Sequence, residues 1–385
     1  MKEDISPIPI CAKNMHREEK SMFSNNQKIS KRQITRLLIY DITGISTLLL
    51  PAMLARIVGK DGIFCIFFAL IPAYLFTALM GALQKKMDAP YPVYIRKKSG
   101  RAVSSVIFAV YYLYSILLAG YVLYVLSCLI QTSLLKGESY WLICICILAL
   151  GGYGIMGGME GRARIYEILF WFLMIPLLLM LLLAARDVNP DYWTPVFSSN
   201  LSDFAKGTVL VFLFYLLICF VLFLGAFETK RGDGIKAAKT SLKVAALLNG
   251  AVFLITLGMF GEKALQGMQY PVITLMSMVK LPGGFFERQD AFMVAIWFFT
   301  IYALVNSSMF YGTEVLKHMI GKKGKKRYVL VTLVLTFLAA AMFYRSAFVL
   351  RMGEKYFLYI GIGFVVLIPL LFAIFSRKKS GEVSE

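Results

Sequence analysis

The sequence predicts an all-α membrane protein of ten transmembrane helices, on three observations. Hydrophobic residues make up 59% of the 385-residue chain, charged residues 16%, and the mean hydropathy is +0.70. A soluble domain carries ~25% charged residues to cover its surface, so most of this surface must face lipid rather than water. Ten apolar stretches each come near the ~20 residues that a helix needs to cross the hydrocarbon core. Basic residues alternate in abundance from one loop to the next, as the cytoplasmic excess of Lys and Arg requires.

Residues 1–33 form a polar tail of mixed charge without the apolar core of a secretory signal, and the tail is expected to be flexible. A first half, 34–185, holds spans at about 34–57, 62–83, 103–130, 140–157 and 164–185. The connection 186–206, with Asp187, Pro190, Asp191, Trp193 and Pro195, leads to a second half, 207–375. Its spans fall at about 207–227, 241–261, 290–316, 328–344 and 355–375, and a basic tail, 376–385, follows. Pro72, Pro176 and Pro369 lie inside spans and mark candidate kinks. Within 262–289 the apolar run Val272–Val279 is too short to span and reads as an interfacial or re-entrant helix. Pro282-Gly283-Gly284 then supplies a turn.

With the N-terminus inside, the segments 1–33, 84–102, 157–165, 228–243, 317–328 and 376–385 hold 29 of the 41 Lys and Arg. The alternate segments 58–61, 131–139, 186–206, 262–289 and 345–355 hold 10. This bias predicts ten passes with both termini cytoplasmic. The net charge of +19 is therefore topological: its partners are the anionic headgroups of the lipid bilayer, and nucleic-acid binding is not expected. Five passes in each half also give the halves opposite orientation, the parity of an inverted repeat.

Metal, cofactor and enzymatic chemistry find no support in the residues. The two histidines, His16 and His318, lie far apart. Cys65, Cys128, Cys144, Cys146 and Cys219 fall within spans, where cysteine behaves as a small apolar residue; Cys144 and Cys146, two apart, point to roughly opposite helix faces. Gly152-x-Gly154-x-x-Gly157 matches a dinucleotide fingerprint in letters but closes a membrane span instead of following a strand. There its glycines favour close helix approach.

The informative segment is Asp41-Ile42-Thr43-Gly44-Ile45-Ser46-Thr47, near the centre of the first span. Glycine weakens a helix, and Ser and Thr satisfy the backbone groups that a break exposes. Such a break offers carbonyls and amides at membrane depth to a small zwitterion or ion. An unbroken helix with a small-residue packing face is the alternative. Asp41, ionisable inside a span, is a functional candidate, with a local pair to Arg36 as the competing reading. Further polar positions are Tyr111, Tyr112, Tyr114, Asn306, Ser307 and Ser308, with Glu167 and Glu314 at span ends.

A set of strings narrows this further. Lys28-Ile29-Ser30-x-x-Gln33 precedes Gly44-Ile45-Ser46, Leu50-Pro51 and Gly59-Lys60-Asp61-Gly62; Ala163-Arg164-Ile165-x-Glu167-Ile168 opens the fifth span; Tyr270-Pro271, Phe286-Glu287-Arg288-x-Asp290-Ala291 and Trp297 surround the eighth. In this order the set resembles the B subunit of GerA-type spore germinant receptors, a family of the amino acid–polyamine–organocation superfamily. The resemblance implies the 5+5 inverted-repeat, LeuT-like fold and a receptor working beside A and C subunits in the inner membrane of a bacterial spore. It also implies a small nutrient ligand, commonly an amino acid, held midway across the membrane among spans one, three, six and eight. Carried over by position, the ligand contacts are Thr43, Gly44, Ile45, Ser46 and Thr47 in the first span, Tyr114 in the third, Leu217 and Cys219 in the sixth, and Leu304 and Ser308 in the eighth. Two departures stand out. Ser46 replaces a glycine, and Leu217 with Cys219 replaces flexible and acidic positions in a stretch, 208–224, that holds no Gly or Pro. Unwinding is thus expected in the first span and has no local support in the sixth. A more apolar ligand, or a subunit that senses little by itself, would fit these departures. A permease and a non-binding or ion-conducting subunit remain the competing functions.

Overall fold

The computed structural model describes residues 27–278, 289–321, 324–346, 348–350 and 361–375. The tail before Gln27, the Pro282-Gly283-Gly284 turn, the Phe286-Glu287-Arg288 string, the start of the tenth span and the C-terminal tail lie outside the described residues. Every named element is helical, and the one β contact among the described residues is a bridge between Ile29 and Glu228.

Helix α1 spans Lys31–Val58. Its start is fixed by the Ser30-x-x-Gln33 string. Ser30 Oγ accepts from the Gln33 amide at 3.3 Å and Gln33 Oε1 accepts from the Ser30 amide at 2.9 Å, a reciprocal capping box. The helix stops at Gly59, whose φ of 66° suits glycine. A 3₁₀ turn (Gly59–Asp61), α2 (Gly62–Phe68) and α3 (Leu70–Lys86) follow. Both ends of this 31–86 stretch meet the same loop: the Ile29 amide donates to Phe227 O at 2.8 Å, and Gln84 Nε2 to Glu228 Oε1 at 3.1 Å. The chain therefore runs out along α1 and returns along α2 and α3.

Next come α4 (Tyr91–Ser133), which bends at Gly100, α5 (Tyr140–Met156) and α6 (Gly158–Ala184). Short 3₁₀ turns at Ala185–Asp187 and Pro190–Trp193 lead to α7 (Leu201–Tyr215), a 3₁₀ segment (Leu216–Phe220) and α8 (Val221–Leu224). Then follow α9 (Asp233–Gly267), α10 (Pro271–Met278), α11 (Gln289–Ile320), α12 (Lys325–Arg345), a π turn (Gly361–Val366) and α13 (Leu367–Phe375). Among the described residues, seven stretches are long and apolar enough to cross a membrane, with Lys31–Lys86 counted as one; Tyr140–Met156 and Gly363–Phe375 are shorter apolar helices. The short α10 occupies the run read as re-entrant, with Val272, Leu275 and Met276 buried.

Loop contacts gather at two ends of the bundle. At one end the Met159 amide donates to Gln27 Oε1 at 2.9 Å, Arg96 to His318 O at 3.0 Å, Lys325 to Met156 O at 2.9 Å, and Arg231 to the Gln84 and Met87 carbonyls. At the other, Arg56 donates to Gln266 O at 2.7 Å, the Phe197 and Ser199 amides to the Asp61 carboxylate at 2.6 and 2.8 Å, and the Asn189 amide to Gly258 O at 2.9 Å.

Helix α1 sits at the centre, packed on α9 and α11, and its stretch from Leu37 to Leu48 is buried throughout. The glycines of α5 serve packing: a Cβ at Gly152 would stand 2.9 Å from Leu333, and one at Gly154 2.5 Å from the Asn306 amide. Cys144 is buried and Cys146 exposed, on opposite faces.

Candidate functional site

The first-span break expected at Thr43–Thr47 is absent: α1 is one α-helix from Lys31 to Val58. Its hydroxyls point back along the helix, Thr43 Oγ1 donating to Ile39 O and Thr47 Oγ1 to Thr43 O, both at 2.7 Å. They satisfy themselves on the local backbone without opening it. Gly44 instead permits close approach, since a Cβ there would stand 2.6 Å from the Thr300 carbonyl oxygen of α11. Ser46 Oγ donates to Asn249 Oδ1 of α9 at 2.9 Å. The polar cluster is a packing seam between α1, α9 and α11.

The irregular backbone lies in the sixth span, where no Gly or Pro announces it. There the α-helix tightens into the 3₁₀ segment Leu216–Phe220, every residue of which is buried. Aromatic packing fixes this stretch. Phe220 stacks on Tyr311 of α11 at 4.4 Å and 13°, and Tyr215 OH, just before it, donates to Ile66 O at 3.3 Å. A 3₁₀ stretch inside a longer helix has poorer hydrogen-bond geometry and marks a point of local give.

A cavity of about 100 Å³ opens against this segment. Ile45 and Met53 of α1, Tyr114, Leu118 and Tyr121 of α4, and Leu210, Leu213 and Phe214 of α7 line it, with Leu217 of the 3₁₀ segment. Three of the residues carried over by resemblance, Ile45, Tyr114 and Leu217, thus meet at one cavity. The other seven do not line it. Thr43, Gly44, Ser46 and Thr47 belong to the packing seam, Cys219 is buried inside the 3₁₀ segment, Leu304 is buried in α11, and Ser308 donates to Leu304 O at 2.9 Å. The lining is almost wholly aliphatic and aromatic, with the two tyrosine hydroxyls as its polar side-chain groups, so it suits an apolar guest better than a charged one.

Arg36 does not pair with Asp41. It binds Glu167, in the third turn of α6, 3.3 Å to Oε1 and 3.2 Å to the carbonyl, beside Arg32 and Gln33 on the same carboxylate. A second buried ionisable side chain is Arg162 of α6, which the sequence places among the basic residues of a loop. It is only 2% exposed, and its Nη2 donates to Ser307 Oγ of α11 at 2.5 Å. A basic residue only five positions past a span end gives no sequence sign that it turns inward. No group of three or more potential metal ligands occurs among the described residues.

The family profile described as spore germination protein matches residues 28–348. The spore germination protein YndE of Bacillus subtilis (strain 168) is 23% identical over 73% of this chain and 78% of its own length. The spore germination protein A2 of the same organism is 22% identical over 79% and 83%. The spore germination protein GerLB of Bacillus cereus is 25% identical over 92% and 96%. Among solved structures, the nucleobase-cation-symport-1 family transporter Mhp1 superposes with a TM-score of 0.68 at 14% identity, covering 89% of this chain and 77% of that one. A Na⁺-coupled sialic acid symporter reaches 0.66 at 12% identity, covering 92% and 80%. These likenesses establish that the chain has the LeuT-like fold of these two transporters. The match over most of the chain settles its kinship: the protein belongs to the spore germination protein family.

Proposed function

We propose that this chain is the B-type membrane subunit of a spore germinant receptor. It crosses the inner spore membrane ten times, as two inverted halves with both termini cytoplasmic. A small nutrient enters the cavity beside Leu216–Phe220, shifts the balance between two arrangements of the bundle, and passes that shift to A and C subunits. The single observation behind this reading is that cavity. It lies against the one irregular stretch of the sixth span, and three residues from three different spans, Ile45, Tyr114 and Leu217, converge on it. Its lining favours an amino acid with an apolar side chain. A ligand moves such an equilibrium only through different affinities for the two states, and a wall with local give is where those affinities diverge. No catalytic step is assigned to any residue.

Deleting the gene in a sporulating host that lacks redundant receptors should abolish the response to one nutrient. Tyr114→Ala should raise the nutrient concentration needed for half-maximal germination about tenfold or more while leaving insertion intact, since a buried ring is worth ~2 kcal/mol or more. A deletion strain that answers every nutrient normally contradicts the receptor role, and a normal dose response in Tyr114→Ala contradicts the cavity assignment.

Transport by alternating access is the second reading, favoured by the fold shared with the two symporters. Concentrative uptake of the nutrient into proteoliposomes holding the purified chain alone would select it over sensing.

A further inference from the structure

We propose that the groove between α4 and α13 is a binding site for one anionic phospholipid, with an acyl chain along its apolar wall and the phosphodiester beside Lys98 and Ser99. This goes beyond the nutrient cavity and does not depend on it. It also goes beyond the general attraction of a basic loop for anionic lipid, which singles out no site.

The groove owes its shape to one glycine. Helix α4 holds Gly100 at φ 72° and ψ 178°, outside the helical region. That conformation is essentially confined to glycine. A Cβ at this position would meet nothing within 4 Å, so the residue serves the backbone and not the packing. The bend divides α4 into a short basic segment, 91–99, and the apolar span that follows. A cavity of about 340 Å³ lies across the bend. Lys98 and Ser99 line it from before Gly100, Val103 and Ile107 from after it, and Leu371 and Phe375 from α13. Buried Tyr94 and half-buried Phe372 complete the lining, their ring centroids 6.3 Å apart.

Polar and apolar groups are divided along this lining as a lipid requires. Val103, Leu371 and Phe375 are exposed, on helices whose outer surface meets lipid chains and not water. The polar groups come from the segment before the bend. An apolar wall with a few placed polar groups is the common form of a small-molecule site.

The charge is complementary to a phosphodiester. Residues 84–102 hold six basic side chains against one acid, Asp88. Arg96 donates to His318 O at 3.0 Å and Lys97 pairs with Asp88, whereas Lys98 has no hydrogen-bond or ion-pair partner among the described residues. Its stem can lie on the apolar wall while its ammonium reaches the phosphate as a point charge, and the Ser99 hydroxyl offers a neighbouring donor. Lys86 Nζ donates to Ala373 O in the last turn of α13 at 2.6 Å, which offsets the negative end of that helix near the groove. A helix from a second copy of the chain, apolar along its length, would bury the Lys98 ammonium with no anion to meet it, and that is costly in a membrane.

The test is native mass spectrometry of the purified full chain, stripped of lipid in mild detergent and given phosphatidylglycerol or phosphatidylcholine at equal concentration. Wild type should retain one phosphatidylglycerol in preference to phosphatidylcholine. Lys98→Gln should cut that preference about fivefold, the worth of one lysine at an anionic lipid surface, and Lys98→Arg should keep it. Val103→Trp, which fills the groove, should lower the retention of both lipids. Lys98 and Val103 are exposed, so these substitutions leave folding intact. Lys263→Gln, exposed near the far end of α9, should change nothing. Equal retention of the two lipids by wild type, a preference unmoved by Lys98→Gln, or retention unmoved by Val103→Trp would overturn the proposal. So would a dimer that Val103→Trp abolishes, since a second copy would then occupy the groove.

Discussion

At Gly44 a single hydrogen atom decides how closely two central helices meet. The Thr300 carbonyl oxygen lies where a Cβ would come within 2.6 Å, and backbone cannot step aside as a flexible side chain does. Overpacking of this kind costs about 1–3 kcal/mol, so Gly44→Ala should lower the thermal unfolding midpoint in detergent measurably, whereas Ala119→Ser, on α4, serves as a control outside the seam. An unchanged midpoint for Gly44→Ala would mean that α1 and α11 stand further apart than described. Legibility at this scale was uneven for a physical reason. Small and polar residues inside a span are compatible with both a broken helix and a tight seam. What separates the two is the group across the gap, here Thr300 O for Gly44 and Asn249 for Ser46. Those partners lie some two hundred residues away in the chain, beyond the reach of any local pattern. Arg162 escaped notice similarly, because proximity to a loop says nothing about the direction in which a long side chain turns.

Among the elements, the sixth span shows the clearest departure from local propensity. Nothing between 208 and 224 disfavours an α-helix, since neither Gly nor Pro occurs there. The tightening at Leu216–Phe220 is imposed from outside, by the Phe220–Tyr311 stack and the packing of five consecutive buried side chains. Tertiary contacts of that size readily override propensities of less than 1 kcal/mol per residue. Hydrogen exchange should reveal the consequence. Amides of 217–221 are expected to exchange at least about tenfold faster than those of 43–47, as sites of low local stability do. Equal protection of the two segments would show that the 3₁₀ stretch is as firm as α1. The bounds of α1, by contrast, are set locally: the Ser30-x-x-Gln33 capping box and Gly59 close it as their chemistry requires.

For the molecule as a whole, the bilayer makes the fold easier to read than the site. Each span must satisfy its own backbone and present its own apolar surface, so hydropathy reports on it segment by segment, and the loop charges add sidedness. Which residues share a cavity depends instead on how the helices rotate against one another, and only Ile45, Tyr114 and Leu217 of the ten carried over came together. That cavity is the centre of the account. The most direct test is a ligand-induced thermal shift of the purified chain in nanodiscs, across a panel of amino acids, for wild type and Leu217→Trp. Selective binding to the folded form adds about 2.7 kcal/mol at a hundred times Kd. At least one amino acid with an apolar side chain should therefore raise the wild-type midpoint and leave that of Leu217→Trp, whose indole fills the cavity, unmoved. A panel that stabilises neither protein, or stabilises both equally, would contradict the account.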